Sequence, residues 1–530
     1  MRRRVLAVIA ALLLVGGLAD PAAAQKRGGV LKVYFFDSPA TMSIHEESTI
    51  AGQGPAMGVF NNLVMYDQQV SQAGLNTIVP DLATEWFWNE ERTVLTFRLR
   101  PGVKWHDGKP FTAKDVKCTF DLLLGSSAEK LRLNPRKAWY RNLDEIVLNG
   151  DDEVVFRLKR PQPAFIAFLA SGFTPIYPCH VPAREMRQHP IGTGPFKFVE
   201  FKPNEYIKTV RNPDYWKKDR PYLDGIDWMI IKNQATGQLA FLAGQYDMTS
   251  PYFFQVPLIN DTQKQNPQAI CRLVPSNVNR NVILNREKPP FNNAELRRAV
   301  ALTVNRRAFV ETLTQGRGDI GGTMLPPPEG IWGMPSELAR QLPGYDPDVE
   351  KNRAEARKLM EKNGYGPNNR LALKVSTRNI APYRDPAVLL IDQLKQIYID
   401  AELEPVDSPA WFPKVARKDF TIGLNLTGQG VDDPDQTFFE NYACGAENNY
   451  DGYCNPEIDK LFDQQSTEPN QEKRKQIVWE IEKRLAEDVA RPVLYHNRSG
   501  TCWHPYVKGY TPMINGIYNA NRMEQVWLDK

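Results

Sequence analysis

Beyond residue 18 no stretch stays apolar for the roughly 20 residues that a bilayer span requires, so no membrane-crossing segment is expected in the body of the chain. Charge of one sign is not concentrated either. The 66 basic and 62 acidic residues are interleaved along all 530 positions, for a formal charge of +4. Phosphate backbones are held by a basic stripe, and none is visible, so nucleic acid is not an expected partner. No repeat of solenoid period occurs.

Catalytic signatures are missing in the same way. His45-Glu46-Glu47-Ser48-Thr49 begins like a zincin helix but ends in Thr49, where the second metal-binding histidine belongs. Gly102 to Lys109 is one residue too long for a phosphate loop, and Pro110 replaces the Ser or Thr that would bind magnesium. Gly192-Thr193-Gly194 runs into Pro195 and is no dinucleotide fingerprint, and no G-x-S-x-G elbow exists. His106 beside Asp107 is the one base-like pair, and in a Trp-His-Asp-Gly turn a structural role is expected. No catalytic residue, no metal site and no cofactor are therefore assigned, and the protein is not expected to be an enzyme.

What is present points outward from the cell. Arg2 to Arg4 precede an apolar run from Val5 to Leu18, and Ala22-Ala23-Ala24 offers a small-residue cleavage site before Gln25. This is the pattern of a cleaved secretory signal over residues 1–24, and the protein is expected in the periplasm. Removing that segment leaves a charge of +2. With 42% apolar and 24% charged residues the remainder must fold, and its length calls for more than one core. Six cysteines in an exported chain suit three disulfides. Cys444 and Cys454, flanking a Gly-, Asn- and Tyr-rich loop, are the easiest pair. Among Cys118, Cys179, Cys271 and Cys502 the pairing stays open.

Alternation of apolar residues predicts strands at 29–35, 94–99 and 154–158, and a short helix at 113–124 started by Thr112 and Asp115. Asn293 is placed to cap a helix through Leu296, Val300, Val304, Phe309 and Leu313, stopping at Gly316. Further helical stripes at 390–397 and 477–485 alternate with strand-like stretches at 371–376 and 420–426. The pattern is α/β.

The segment PDLATEWFWNEERTVLTFRLRPGVKWHDGKPFTAKDV from Pro80 resembles the signature region of the extracytoplasmic solute-binding proteins of family 5, the peptide- and nickel-type binding proteins of ABC importers. The likeness continues in order through GTGPFKFVEF at Gly192, RNPDYWKKDRPYLDGID at Arg211, AFLAGQYDM at Ala240, RRAVALTVNR at Arg297 and VKGY at Val507. It implies a two-lobed periplasmic-binding-protein fold with a central cleft and an extra β-rich subdomain. Lobe I would take residues 25–280, with the inserted subdomain at about 60–190. Lobe II would take 281–504, with the return to lobe I over 505–530. It also implies capture of a small solute by lobe closure, delivery to permease subunits in the inner membrane, and a monomer.

In relatives that bind peptides an aspartate of a Gly-rich second-lobe loop holds the ligand's ammonium group. Here that loop is Thr427 to Pro434, and Asp432 is the positional match, with Asp433 beside it. A buried ammonium needs a paired anion; the alternative role is capping a helix that starts at Pro434. Gln429 stands where relatives often carry Trp, which weakens an ordinary-peptide reading. Trp411 and Phe412 are candidate stacking platforms. Met42 and His45 are expected to approach the cleft from lobe I, and Phe253 is a further candidate. A peptide-like or opine-like solute is favoured; an oligosaccharide or other non-peptide solute would rely on Gln429 and Trp411 instead. A secreted hydrolase lacks the constellation it needs.

Overall fold

The computed structural model describes residues 25–514 and 516–530; the expected export signal at 1–24 lies outside them. The first sheet carries Val30–Phe35 at one side, parallel to Gly225–Ile230, followed by Tyr206–Arg211 and Phe196–Lys202 in antiparallel array. Leu31, Val33 and Phe35 are buried, as their alternation predicts. Between the first strand and the rest of this sheet the chain builds a separate antiparallel sheet, in the order Ala83–Trp88, Val94–Leu99, Glu153–Leu158, Leu143–Asn149. The helix Ala113–Leu124 packs Val116, Phe120 and Leu123 into the core beside it. Its start is fixed as expected, because the Asp115 carboxylate accepts the Thr112 backbone N–H at 2.9 Å.

The second lobe is a five-stranded sheet ordered Ile399–Val406, Leu371–Arg378, Ile422–Gly428, Ile270–Leu284, Val493–Trp503. The first three strands run parallel, and the helix Ala381–Leu394 connects Leu371–Arg378 with Ile399–Val406. One expected helix is two. Ala294–Thr303 ends at the extended Val304, and Asn305 starts Arg306–Thr314 by accepting the Ala308 N–H through its side chain. Apolar spacing alone runs through the break because Val304 is itself buried.

Two strands join the lobes. Ile270–Leu284 and Val493–Trp503 are antiparallel partners along most of their length. Their outer half reaches the first sheet through Met248, which bridges to both Val33 and Trp503. Their inner half lies in the second-lobe sheet beside Ile422–Gly428. Between the halves the register jumps: Pro275 faces Arg498, but Asn279 faces His496. Ser276, Asn277 and Val278 form this bulge.

The structure pairs Cys444 with Cys454, Cys118 with Cys179 and Cys271 with Cys502. No group of side chains suited to a metal ion occurs among the described residues. Nor is any described helix long and apolar enough to cross a membrane. The Trp-His-Asp-Gly turn is a clamp: the half-buried His106 meets the Gly194 carbonyl at 3.0 Å, while Asp107 pairs with His180.

Candidate functional site

The lobes are closed on one another, and their contacts outline the site. Arg378 of the second lobe donates to Asp37 of the first, and the Ser408 hydroxyl donates to the same carboxylate at 2.5 Å, all three buried. From the first-lobe side the Trp139 indole N–H reaches Glu440 at 2.9 Å, the Gln162 amide reaches Asp435 at 2.8 Å, and Arg141 reaches Asp463 at 2.7 Å. Glycine allows the second-lobe loop to sit this close, since a Cβ at Gly428 would lie 2.5 Å from the Tyr518 hydroxyl.

Two adjoining cavities lie between the lobes among the described residues. The inner one, about 50 Å³, is lined from the first lobe by Thr49, Phe253 and Tyr518, and from the second by Arg378, Asn425 and Glu440, among others. The outer one, about 430 Å³, opens at the mouth between the loop 38–49 and the helix Ser408–Ala416. Ser48, Thr49, Arg378 and Phe412 belong to both.

The inner cavity is polar and amphoteric. Glu440 accepts from Trp139 and Gln436 on one oxygen and from Asn448 on the other. A carboxylate offers about four acceptor positions, so one remains. Burial pushes Glu440 above the usual carboxylate range, against the Trp139 N–H and the Arg136 charge. Asn425, on the strand Ile422–Gly428, has a buried side-chain oxygen with no partner among the described residues. An orphaned buried amide costs free energy unless something fills its place.

The residues singled out in the sequence divide sharply. Phe412 lines both cavities and lies under the Arg378 guanidinium at 5.3 Å, and Phe253 lines the inner one, stacked 3.9 Å from Phe36. Trp411 points the other way, fully buried with Ile283, Val415 and Phe420, because neighbouring residues of a helix face about 100° apart. Met42 lies in the core. His45 is buried against Tyr177 with Nε2 on the Pro175 carbonyl, and burial together with the Arg136 charge lowers its pKa to about 3. Gln429 donates to the Met324 sulfur at 3.5 Å. Asp433 caps the helix Pro434–Asn441 and takes two hydrogen bonds from Arg474, at 2.8 and 2.6 Å. Asp432 lines neither cavity; one oxygen accepts from Asn277 at 3.1 Å, and the other is buried without a partner among the described residues. Burial pushes its pKa up to about 6, opposed by the Asn277 amide and helped by the charge of Asp433.

A sequence profile of the bacterial extracellular solute-binding proteins, family 5, matches residues 77–449. The chain belongs to this family. Di/tripeptide-binding protein 1 of Pseudomonas aeruginosa is 28% identical over 506 residues, covering 89% of each chain. The fold matches that of the periplasmic binding protein DppA from Helicobacter pylori in complex with the peptide STSA, at a TM-score of 0.83 and 22% identity, over 95% of this chain and 99% of the other. AgaA in complex with agropinic acid, from A. tumefaciens R10, aligns with the same score at 21% identity over the same shares.

Within this family 5 protein, sequence reasoning passed over Asn425, Glu440 and Arg378. Asn425 carries a readable signal, since an amide in the strand Ile-Gly-Leu-Asn-Leu-Thr-Gly shares a face with Gly423 and Thr427, opposite the leucines. Arg378 ends its strand and meets Asp37 from 341 positions away, which no local pattern shows.

Proposed function

We propose that this protein is the exported solute receptor of an ABC importer, closing on a peptide-like or opine-like solute and handing it chemically unchanged to permease subunits in the inner membrane. The observation that carries the reading is the amphoteric inner cavity, lined from both lobes, where Glu440 keeps an acceptor position, Asn425 an unpartnered amide oxygen, and Arg378, paired with Asp37, still has two of its five N–H donors unused. A solute with an ammonium and a carboxylate answers both the acceptor on Glu440 and the spare donors on Arg378. Relatives named for di- and tripeptides and a structural neighbour holding agropinic acid, an opine-type ligand, support the same class. Asp432 lines neither cavity; the family resemblance makes it the ammonium's partner, and its substitution tests whether the solute reaches past the inner cavity to the unpaired oxygen beside Asn277. A ligand that touches both lobes adds contacts only in the closed form and shifts the population toward it by that difference.

The oligosaccharide alternative depends on Trp411 and Gln429. Neither lines a cavity, so no observation favours it. The test is native mass spectrometry of protein released gently from the periplasm, with fragmentation of any added mass. A peptide or amino-acid conjugate is expected; a sugar mass, or turnover of the retained solute, would overturn the reading. Protein beginning at Gln25 in the same spectrum would establish export with signal cleavage.

A further inference from the structure

The outer cavity has walls unlike the inner one. Pro39, Ala40, Leu133, Pro409, Pro413 and Ala416 make it largely apolar, and Leu133 is 47% exposed there. Its charged lining is nevertheless unbalanced. Arg378 is matched by Asp37. Glu46 already takes two hydrogen bonds from Arg187, at 2.7 and 2.8 Å, so Arg132 reaches it only at 3.6 Å and stays 58% exposed. Arg417, exposed just past the helix Ser408–Ala416, makes no ion pair among the described residues. Glu47 is the other acid of the lining; it is buried, and its carboxylate accepts the Thr41 N–H at 2.9 Å. Burial pushes its pKa up to about 7, so it offsets these cations only in part near neutral pH.

The two under-matched arginines come from opposite sides of the cleft, Arg132 from the inserted subdomain and Arg417 from the second lobe. Closure brings both to one pocket, where like charges repel. An anion between them turns that repulsion into two attractions present only in the closed state. We propose that the outer cavity is a second solute subsite, taking a carboxylate on a short apolar stem and selecting acidic members of the solute class. The stem lies along the prolines and Leu133, and the carboxylate meets Arg132 and Arg417. This proposal rests on the reading of the inner cavity as the site for a peptide-like solute.

Charge-matched dipeptide pairs separate the two readings. Calorimetric titration of the emptied protein with Ala-Glu and Ala-Gln, and with Glu-Ala and Gln-Ala, compares near-isosteric ligands that differ in charge. At least one acidic member is expected to bind about tenfold more tightly than its amide partner. Arg417→Ala and Arg132→Ala should each shrink that ratio while leaving affinity for the amide member unchanged. Equal affinity within both pairs overturns the acidic subsite and leaves the inner site standing. A preference that survives both substitutions also overturns it. Failure of all four dipeptides to bind sinks the peptide-like reading and this inference together.

Discussion

Asp432 holds one oxygen on Asn277 and leaves the other bare, and this asymmetry has a consequence in pH. Burial in the closed form pushes its pKa up to about 6, so if Asp432 meets the solute's ammonium, protonation competes with that contact below this value. Binding of a cation-ended solute stabilises the ionised form and so releases a proton as pH falls through 6. Affinity should be level above about pH 7 and weaken by up to about tenfold for each unit below 6. Titration calorimetry from pH 8 to pH 5 should show that bend, and Asp432→Asn should weaken binding and flatten the profile. A bend unchanged in the variant would remove Asp432 from the site. At this scale the sequence was partly legible. An Asp before Pro434 is a helix-start signal, and Asp433 does cap that helix. Its bidentate pairing with Arg474, 41 residues on, leaves no trace in local spacing. The difference between Trp411 and Phe412 was illegible for another reason: side chains on adjacent helical residues diverge, and only the packed tertiary neighbours show which one faces the cleft.

Elements were easier to read than side chains where their signals are local. The strand Val94–Leu99 and the helix Ala113–Leu124 appear where alternation and the Thr112–Asp115 start place them. The division at Asn305 was missed because apolar period and capping chemistry disagree there, and the cap won. The loop between Cys444 and Cys454 belongs to this scale as well. It carries Asn448, whose amide holds Glu440, and Asn449, whose side chain meets both Ala443 and Tyr453 backbones. Cross-linking a segment of this length removes unfolded-state freedom worth about 2–3 kcal/mol on a chain-entropy account. Replacing both cysteines by serine should lower the denaturation free energy by about that amount. It should also loosen solute binding, because Asn448 then orients Glu440 less firmly. Equilibrium unfolding with calorimetry on the same variant checks both, and unchanged affinity would separate the loop from the site.

For the whole molecule, the ordered set of family motifs made the two-lobed plan legible, since they span the chain from Pro80 to Tyr510. The cleft itself was not, because it is made by pairs such as Asp37 with Arg378 and Trp139 with Glu440, hundreds of residues apart. Those same pairs predict a measurable change of shape. Emptied protein, without solute to offset burial of Glu440 and Asn425, should open and show a larger radius of gyration by small-angle scattering. Saturating solute should contract it; an unchanged radius would count against capture by closure. How it opens follows from the two joining strands. Cys271 and Cys502 face each other in register and are bonded on the first-lobe side of the bulge at Ser276 to Val278. Bonded and laddered at one end and laddered at the other, the pair resists lengthwise shear, and the two strands lose their mutual register only at the bulge between. Opening is then expected as a swing about this bulge, and Asn277, the residue that holds Asp432, lies within it.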